Sequence, residues 1–178
     1  MPSLDEQIAA KEREVRSLEE ELHSALGEAI PFREQMAQVA NELDHKMQAE
    51  LKATPKRSEE MEKVMSCVVR VVHEDMRHSH WASKAFDPKF IFELQEFNPD
   101  ELKDDVMHLL DTHCSDPTLT AEKMESWKGP PIVRILNRWL HAVQCFGRVG
   151  AKLKPKLEEL RRMHLDLEGL MREKTLIA

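Results

Sequence analysis

Apolar residues recur at three- and four-residue steps through most of this chain, which is the period of one face of an α-helix. The longest run follows Gly129-Pro130-Pro131, where proline occupies a first helical turn whose amides have no partner to lose. Ile132, Ile135, Leu136, Trp139, Leu140, Val143, Phe146, Val149 and Leu153 then share a face. Beyond them Leu157, Leu160, His164, Leu167, Met171 and Lys174 alternate steps of three and four, a heptad seam. A second seam, Leu4, Ile8, Lys11, Val15, Leu18, Leu22, Ala25 and Ala29, opens the sequence. With so much chain between them, the two seams are expected to pair antiparallel within one molecule. The alternative is that each dimerises with another copy. Lys11, His164 and Lys174 stand at seam positions, where a polar residue costs stability and restricts register.

Between the seams the pattern stays helical but breaks often. Pro31 closes the first seam, and Phe32, Met36, Val39, Leu43, Met47 and Leu51 carry a helix face on to Pro55. Ser58 is placed to cap a helix whose first turn holds Glu59 and Glu60, which suit the dipole there. Met61, Val64, Met65, Val68, Val71 and Val72 give its apolar face, although the paired valines leave a strand as the competing assignment. Phe86, Phe90, Phe92 and Phe97 are expected in the core, in a short strand or loop. Asn98-Pro99-Asp100-Glu101 looks like a helix start ahead of Leu102, Val106, Leu109 and Leu110. Thr120 is placed to cap a short helix containing Met124.

Composition agrees with a helical, elongated protein: 33% of the 178 residues are charged, 5% are aromatic, and tyrosine is absent. No apolar run reaches the length of a membrane span, and no signal peptide precedes the first charges. Cys67, Cys114 and Cys145 read as reduced thiols of an intracellular protein. The net charge of −7 conceals an asymmetry. Residues 1–30 carry eight acidic and three basic side chains, and residues 87–116 carry nine and two. Residues 123–156 reverse this with eight basic side chains and one acid, Glu125. A basic segment in an acidic protein points to an acidic partner, unless the charges only solvate a helix.

Catalytic signatures are missing. There is no Gly-x-x-x-x-Gly-Lys-(Ser/Thr) phosphate loop and no Gly-x-Ser-x-Gly elbow. His73 and His78 are five residues apart, one too many for the two zinc ligands of His-Glu-x-x-His, and His80 adds no cysteine pair; no metal is expected. His141 and Cys145 share a helix face and could be base and nucleophile, but a buried structural thiol is the simpler reading. Trp81, Trp127 and Trp139 are expected to anchor the core. Gly147 and Gly150 are expected to soften the helix before Pro155 or to allow close packing.

Several short motifs, in order, resemble the dynein heavy chain. Trp139-Leu140 is followed seven residues later by Phe146, and then by Lys154-Pro155-Lys156. This is similar to the family's Trp-Val, aromatic, and proline at the foot of the returning stalk helix. Pro31 is similar to the proline closing the outgoing helix, and nineteen residues on, Glu50-Leu51-Lys52-Ala53 matches Glu-(Ile/Val)-(Lys/Arg)-(Ser/Ala). Trp81 and Asp116-Pro117-Thr118-Leu119-Thr120-Ala121-Glu122 also resemble family positions. Two places depart: Asp44-His45 replaces a lysine pair, and Arg57-Ser58 replaces Pro-Pro.

The resemblance implies an all-α fold, a compact bundle of about six helices on a truncated antiparallel coiled-coil stalk. Residues 1–30 would be the outgoing stalk helix, 31–155 the microtubule-binding domain and 156–178 the returning helix, with junctions at Pro31 and Pro155. Such a tip binds tubulin, with an affinity altered by sliding of one stalk helix against the other. It is not an enzyme, since the family's ATP hydrolysis takes place in a distant ring, and it needs no cofactor. Counting back from Pro155 to an arginine that faces tubulin in the family gives Lys128 as the first contact. Lys46 and His45 lie beside it in this reading, followed by Lys123 and Arg134. The fragment is expected to be monomeric, on the cytoskeleton of the cytoplasm or a ciliary axoneme, without nucleic-acid or membrane partners. The rival reading is a coiled-coil scaffold enclosing a helical domain for some other acidic protein.

Overall fold

The computed structural model of the chain describes residues 1–74 and 80–177. Among the described residues every regular element is helical. In order they are α1 (Leu4–Asn41), α2 (His45–Ala53), α3 (Glu59–His73), α4 (Trp81–Ala85), α5 (Phe90–Gln95), a 3-10 turn (Pro99–Glu101), α6 (Asp104–Cys114), α7 (Ala121–Glu125) and α8 (Pro131–Ile177). They fall into two compact units. One joins Met1–Ala29 to the segment from Val149 onward, and the other is Ile30–Arg148.

The first unit is an antiparallel pair of helices. Asp5 meets Lys174 at 2.7 Å, Lys11 meets Asp166 at 3.6 Å, Glu19 meets His164 at 3.4 Å and Glu21 meets Lys156 at 3.5 Å. As one number rises the other falls, which fixes the direction of pairing. The α1 seam is as expected, with Ile8, Val15, Leu18, Leu22 and Ala29 buried.

The α8 seam differs from the sequence expectation by one residue at alternate positions. Leu153 is 6% exposed and packs with Leu18 and Leu22, and from it the inward positions are Lys156, Leu160, Met163, Leu167 and Leu170. Leu157, His164 and Met171 are exposed instead. Two heptads overlap on this helix, and contact with Leu18 and Leu22 selects the phase that begins at Leu153.

Both prolines lie inside helices. Pro31 does not end α1, and Pro155 does not divide α8. Proline forfeits the hydrogen bond to the carbonyl four residues back. Those residues are Gly27 and Ala151, which are exposed, as are the prolines themselves. Water can serve the freed carbonyls, so each helix continues.

In the second unit α8 supplies the deepest face: Ile132, Val133, Leu136, Trp139, Leu140 and Val143 have no exposed surface. Helix α3 packs against α4 and α6, and its Val64, Met65, Val68, Val69 and Val71 are at most 1% exposed. Burial on so many sides outweighs the weak helix preference of valine. Ser58 caps α3, accepting from the Met61 N–H at 3.2 Å, and Thr120 caps α7, accepting from the Lys123 N–H at 3.2 Å.

Three local expectations are corrected. The helix face from Phe32 to Leu51 is interrupted after Asn41, because the Asp44 carboxylate accepts the Met47 N–H at 2.8 Å and starts a new helix. The phenylalanine segment forms α4 and α5, not a strand, and Phe92 is 62% exposed where core burial was expected. Asn98 caps only a 3-10 turn, and α6 begins five residues after Pro99, at Asp104.

The choice of seam can be checked directly. Leu153→Ala should cost about 2–4 kcal/mol of unfolding free energy in urea titrations. Leu157→Ala should change it by less than about 0.5 kcal/mol. Equal losses would mean that the other heptad faces α1.

Candidate functional site

The basic residues singled out in the sequence lie in two stretches: His45 and Lys46 at the start of α2, and Lys123, Lys128 and Arg134 from α7 into the first turn of α8. Arg138 reaches Glu42 at 3.7 Å, bringing the end of α1 alongside α8. One turn earlier on α8, the Arg134 guanidinium donates to the Glu125 carbonyl at the end of α7, at 3.3 Å. His45 and Lys46 begin α2, Lys123 lies in α7, and Lys128 stands in the turn between α7 and α8. All four are exposed, and none has an acidic side chain within ion-pair distance among the described residues. By contrast Arg138, Arg148 and Lys156 are paired with Glu42, Asp111 and Glu21. Arg134 is half-buried and, through the Glu125 carbonyl, helps hold α7 in place.

Two local devices position these cations. Gln48 is buried and donates from Nε2 to the carbonyls of Ala85 at 2.6 Å and Asp87 at 2.8 Å, fastening α2 to the α4–α5 link. In the other connection Trp127 is half-buried against the core, and a Cβ on Gly129 would strike its indole. Lys128 lies between these two residues, so the turn that presents it has little room to change. Gly147 likewise allows close packing, against Met107 and Leu102, whereas Gly150 has open space. Pro31 is an exposed residue within α1, and Pro155 belongs to the coiled-coil unit.

A buried polar network supports the α7 side, and the sequence reading did not find it. Asn137 is fully buried on α8; its Nδ2 donates to the Leu119 carbonyl at 2.9 Å. Its Oδ1 lies 2.8 Å from His113 Nε2, so that nitrogen carries the hydrogen and donates. His141 Nε2 lies 3.0 Å from the same Leu119 carbonyl. Together they tie the loop before α7 to α6 and α8. One signal was available: Asn137 is a polar residue between Leu136 and Trp139 on a face that is otherwise apolar.

The chemistry considered for enzymes and metals finds no assembled group. His141 is engaged by Leu119, and Cys145 is half-buried. Burial pushes the Cys114 thiol up to about 12, with Cys145 and Asp111 adding to it, so it stays protonated near neutrality. Among the described residues no three of His, Cys, Asp and Glu come together to hold a metal ion. His78 of the histidine pair lies outside the described residues. No described helix is long and apolar enough to cross a membrane.

No family model matches the chain. Comparison with known proteins finds 25% identity over 133 residues, 75% of this chain, with the dynein-1-beta heavy chain of the flagellar inner arm I1 complex of Chlamydomonas reinhardtii. Dynein axonemal heavy chain 2 of Homo sapiens, and that of Mus musculus, is 22% identical over 151 residues, 85% of the chain. The chain is related to the dynein heavy chains. It spans about 3% of the length of these relatives, so the similarity to dynein is to a short segment of each. The two proline-marked helices, Trp81 and Trp139 of the dynein-like motifs are all helical here, and both tryptophans are buried.

The network makes stability depend on pH. Burial holds the His113 imidazole below its ordinary value, with the hydrogen bond to Asn137 opposing and His141 reinforcing the shift. The unfolded chain therefore takes up this proton first, near pH 6.5, and the folded state loses stability as pH falls below that. Unfolding free energy should decline from pH 7 toward pH 5, with a shallower slope in His113→Gln. Asn137→Ala, which strands the His113 N–H and removes a donor from Leu119, should cost about 3 kcal/mol at pH 7. A pH slope unchanged by His113→Gln would remove the imidazole from this role.

Proposed function

We propose that this chain is the microtubule-binding tip of a dynein stalk, and that Ile30–Arg148 holds its tubulin contact. The observation that carries the reading is that the basic side chains assigned to the contact, Lys128 first and then Lys46, His45 and Lys123, are exposed and have no carboxylate partner among the described residues. Arg138 and Arg148 on α8 are neutralised by Glu42 and Asp111, whereas Lys128 keeps the unpaired charge that an acidic lattice would attract. Similarity to dynein heavy chains and the antiparallel helix pair are in keeping with this. The chain acts as a binding module; nucleotide hydrolysis belongs to the longer motor. The relatives' names, a flagellar inner arm and axonemal heavy chains, suggest the cytoskeleton of a cilium or flagellum as its place.

Regulation by stalk register rests on the overlapping seams of α8. The phase beginning at Leu153 faces α1, whereas Leu157, His164 and Met171 form a second, outward phase. A helix with two usable phases can be held in either at modest cost, and sliding between them is the means by which tubulin affinity would change.

Asp44 needs care in any test, because its carboxylate caps α2. Replacing it with lysine would remove a cap worth about 1 kcal/mol along with the negative charge. Asparagine keeps the cap and removes the charge alone. Asp44→Asn should therefore bind microtubules more tightly, by about 0.5 kcal/mol or roughly twofold at low salt, without loss of stability. Lys128→Glu should weaken co-sedimentation by more than about tenfold, and added salt should weaken the wild type. Unchanged binding by a folded Lys128→Glu protein would take Lys128 out of the contact. Wild type that does not co-sediment at any salt would favour the scaffold reading, with another acidic partner.

A further inference from the structure

A cavity of about 410 Å3 lies between α3, α6 and the loop after α6, lined by none of the residues assigned to tubulin. Its deepest lining is apolar: Cys67, Trp81 and Leu119 are each at most 4% exposed. A volume in this range is typical of small-molecule sites.

The charges in the wall decide what could enter. Glu62 accepts from the Trp81 indole N–H at 2.7 Å and pairs with Arg57 at 3.9 Å. Lys63 lies between Glu59 at 3.2 Å and Asp116 at 3.0 Å. The other Asp116 oxygen accepts from the Thr118 N–H and hydroxyl at 2.9 and 2.6 Å. The remaining charged wall residue, Arg70, is not free either. Two acids and two bases cancel, and each already has a partner. An ionic ligand would have to break one of these pairs and would gain no net attraction.

Two polar groups in the wall are open to a ligand. His113 uses its Nε2 hydrogen on Asn137, which leaves Nδ1 as an acceptor. Ser66, half-buried on α3, makes no side-chain hydrogen bond among the described residues. We propose that this cavity binds a small, neutral, largely apolar molecule carrying one hydrogen-bond donor, seated on Trp81, Cys67 and Leu119 with its donor on His113 or Ser66. The proposal is independent of the tubulin reading.

Indole, neutral with a single N–H, is the probe. Added to the full chain labelled with 15N at pH 7.5, it should give saturable shifts at about millimolar concentration, centred on the amides of Ser66, Cys67, Thr112, His113 and Leu119. 1-Methylindole, which lacks the donor, should bind several-fold more weakly. Indole-3-acetate and tryptamine, which carry opposite charges, should each bind about tenfold more weakly. Ser66→Phe should abolish the shifts by filling the space, and Thr112→Phe does the same from the α6 wall should the first variant not fold. Absence of saturable shifts at these amides, or equal binding by a filled variant, would overturn the site. Equal binding by the charged analogues, or by 1-methylindole, would overturn the assigned ligand class.

Discussion

A buried side-chain amide must find hydrogen-bond partners or destabilise the fold by several kcal/mol, and Asn137 lies at the centre of the apolar face of α8. It finds them in the Leu119 carbonyl and the His113 ring. Those two bonds hold the loop between α6 and α7 against α8, with His141 adding a third contact. Much else follows from that attachment. Helix α7 carries Lys123 and leads into the turn bearing Lys128, so the placement of both begins with the loop. Leu119 and His113 also form part of the wall of the α3–α6 cavity. One polar residue in an apolar helix face thus sets the geometry on two sides of the unit.

Part of the charge in this protein is balanced by internal pairing. Arg138, Arg148, Lys63 and Lys103 each have a carboxylate partner, and exposed pairs of that kind contribute little to stability. Their effect here is subtractive: they remove Arg138 and Arg148 from the uncompensated charges of residues 123–148. His45 and Lys46 begin α2, Lys123 and Lys128 lie in α7 and the turn after it, and the Arg138–Glu42 contact ties the end of α1 to α8. A count of basic residues along 123–156 could not separate Lys128 from Arg148, because the difference between them is whether a carboxylate folds back onto the charge.

The coiled-coil unit shows how a repeat can be correct in kind and wrong in phase. Alternating steps of three and four run through α8 in two registers one residue apart, sharing Leu160, Leu167 and Lys174. Each contains enough leucine and methionine to serve as a seam. Leu153 marks the phase that faces α1: it is buried against Leu18 and Leu22, while Leu157 is exposed. The exposed His164 and Met171 are what remains of the alternative.

Sequence alone was sufficient for the helical class, the α1 seam, the caps at Ser58 and Thr120, the start of α8 at Pro131 and the burial of Trp81 and Trp139. These follow from local periodicity, capping chemistry and side-chain size, all of which are written into a few neighbouring residues. It was also sufficient for the resemblance to dynein, carried by prolines and tryptophans at fixed spacing. Tertiary structure alone decided the phase of the α8 seam, the outward position of Phe92 and the partners of Asn137. It also decided which cations are unpaired. Each of these is settled by a comparison between two placements of similar local energy, and the balance is tipped by atoms tens of residues away along the chain.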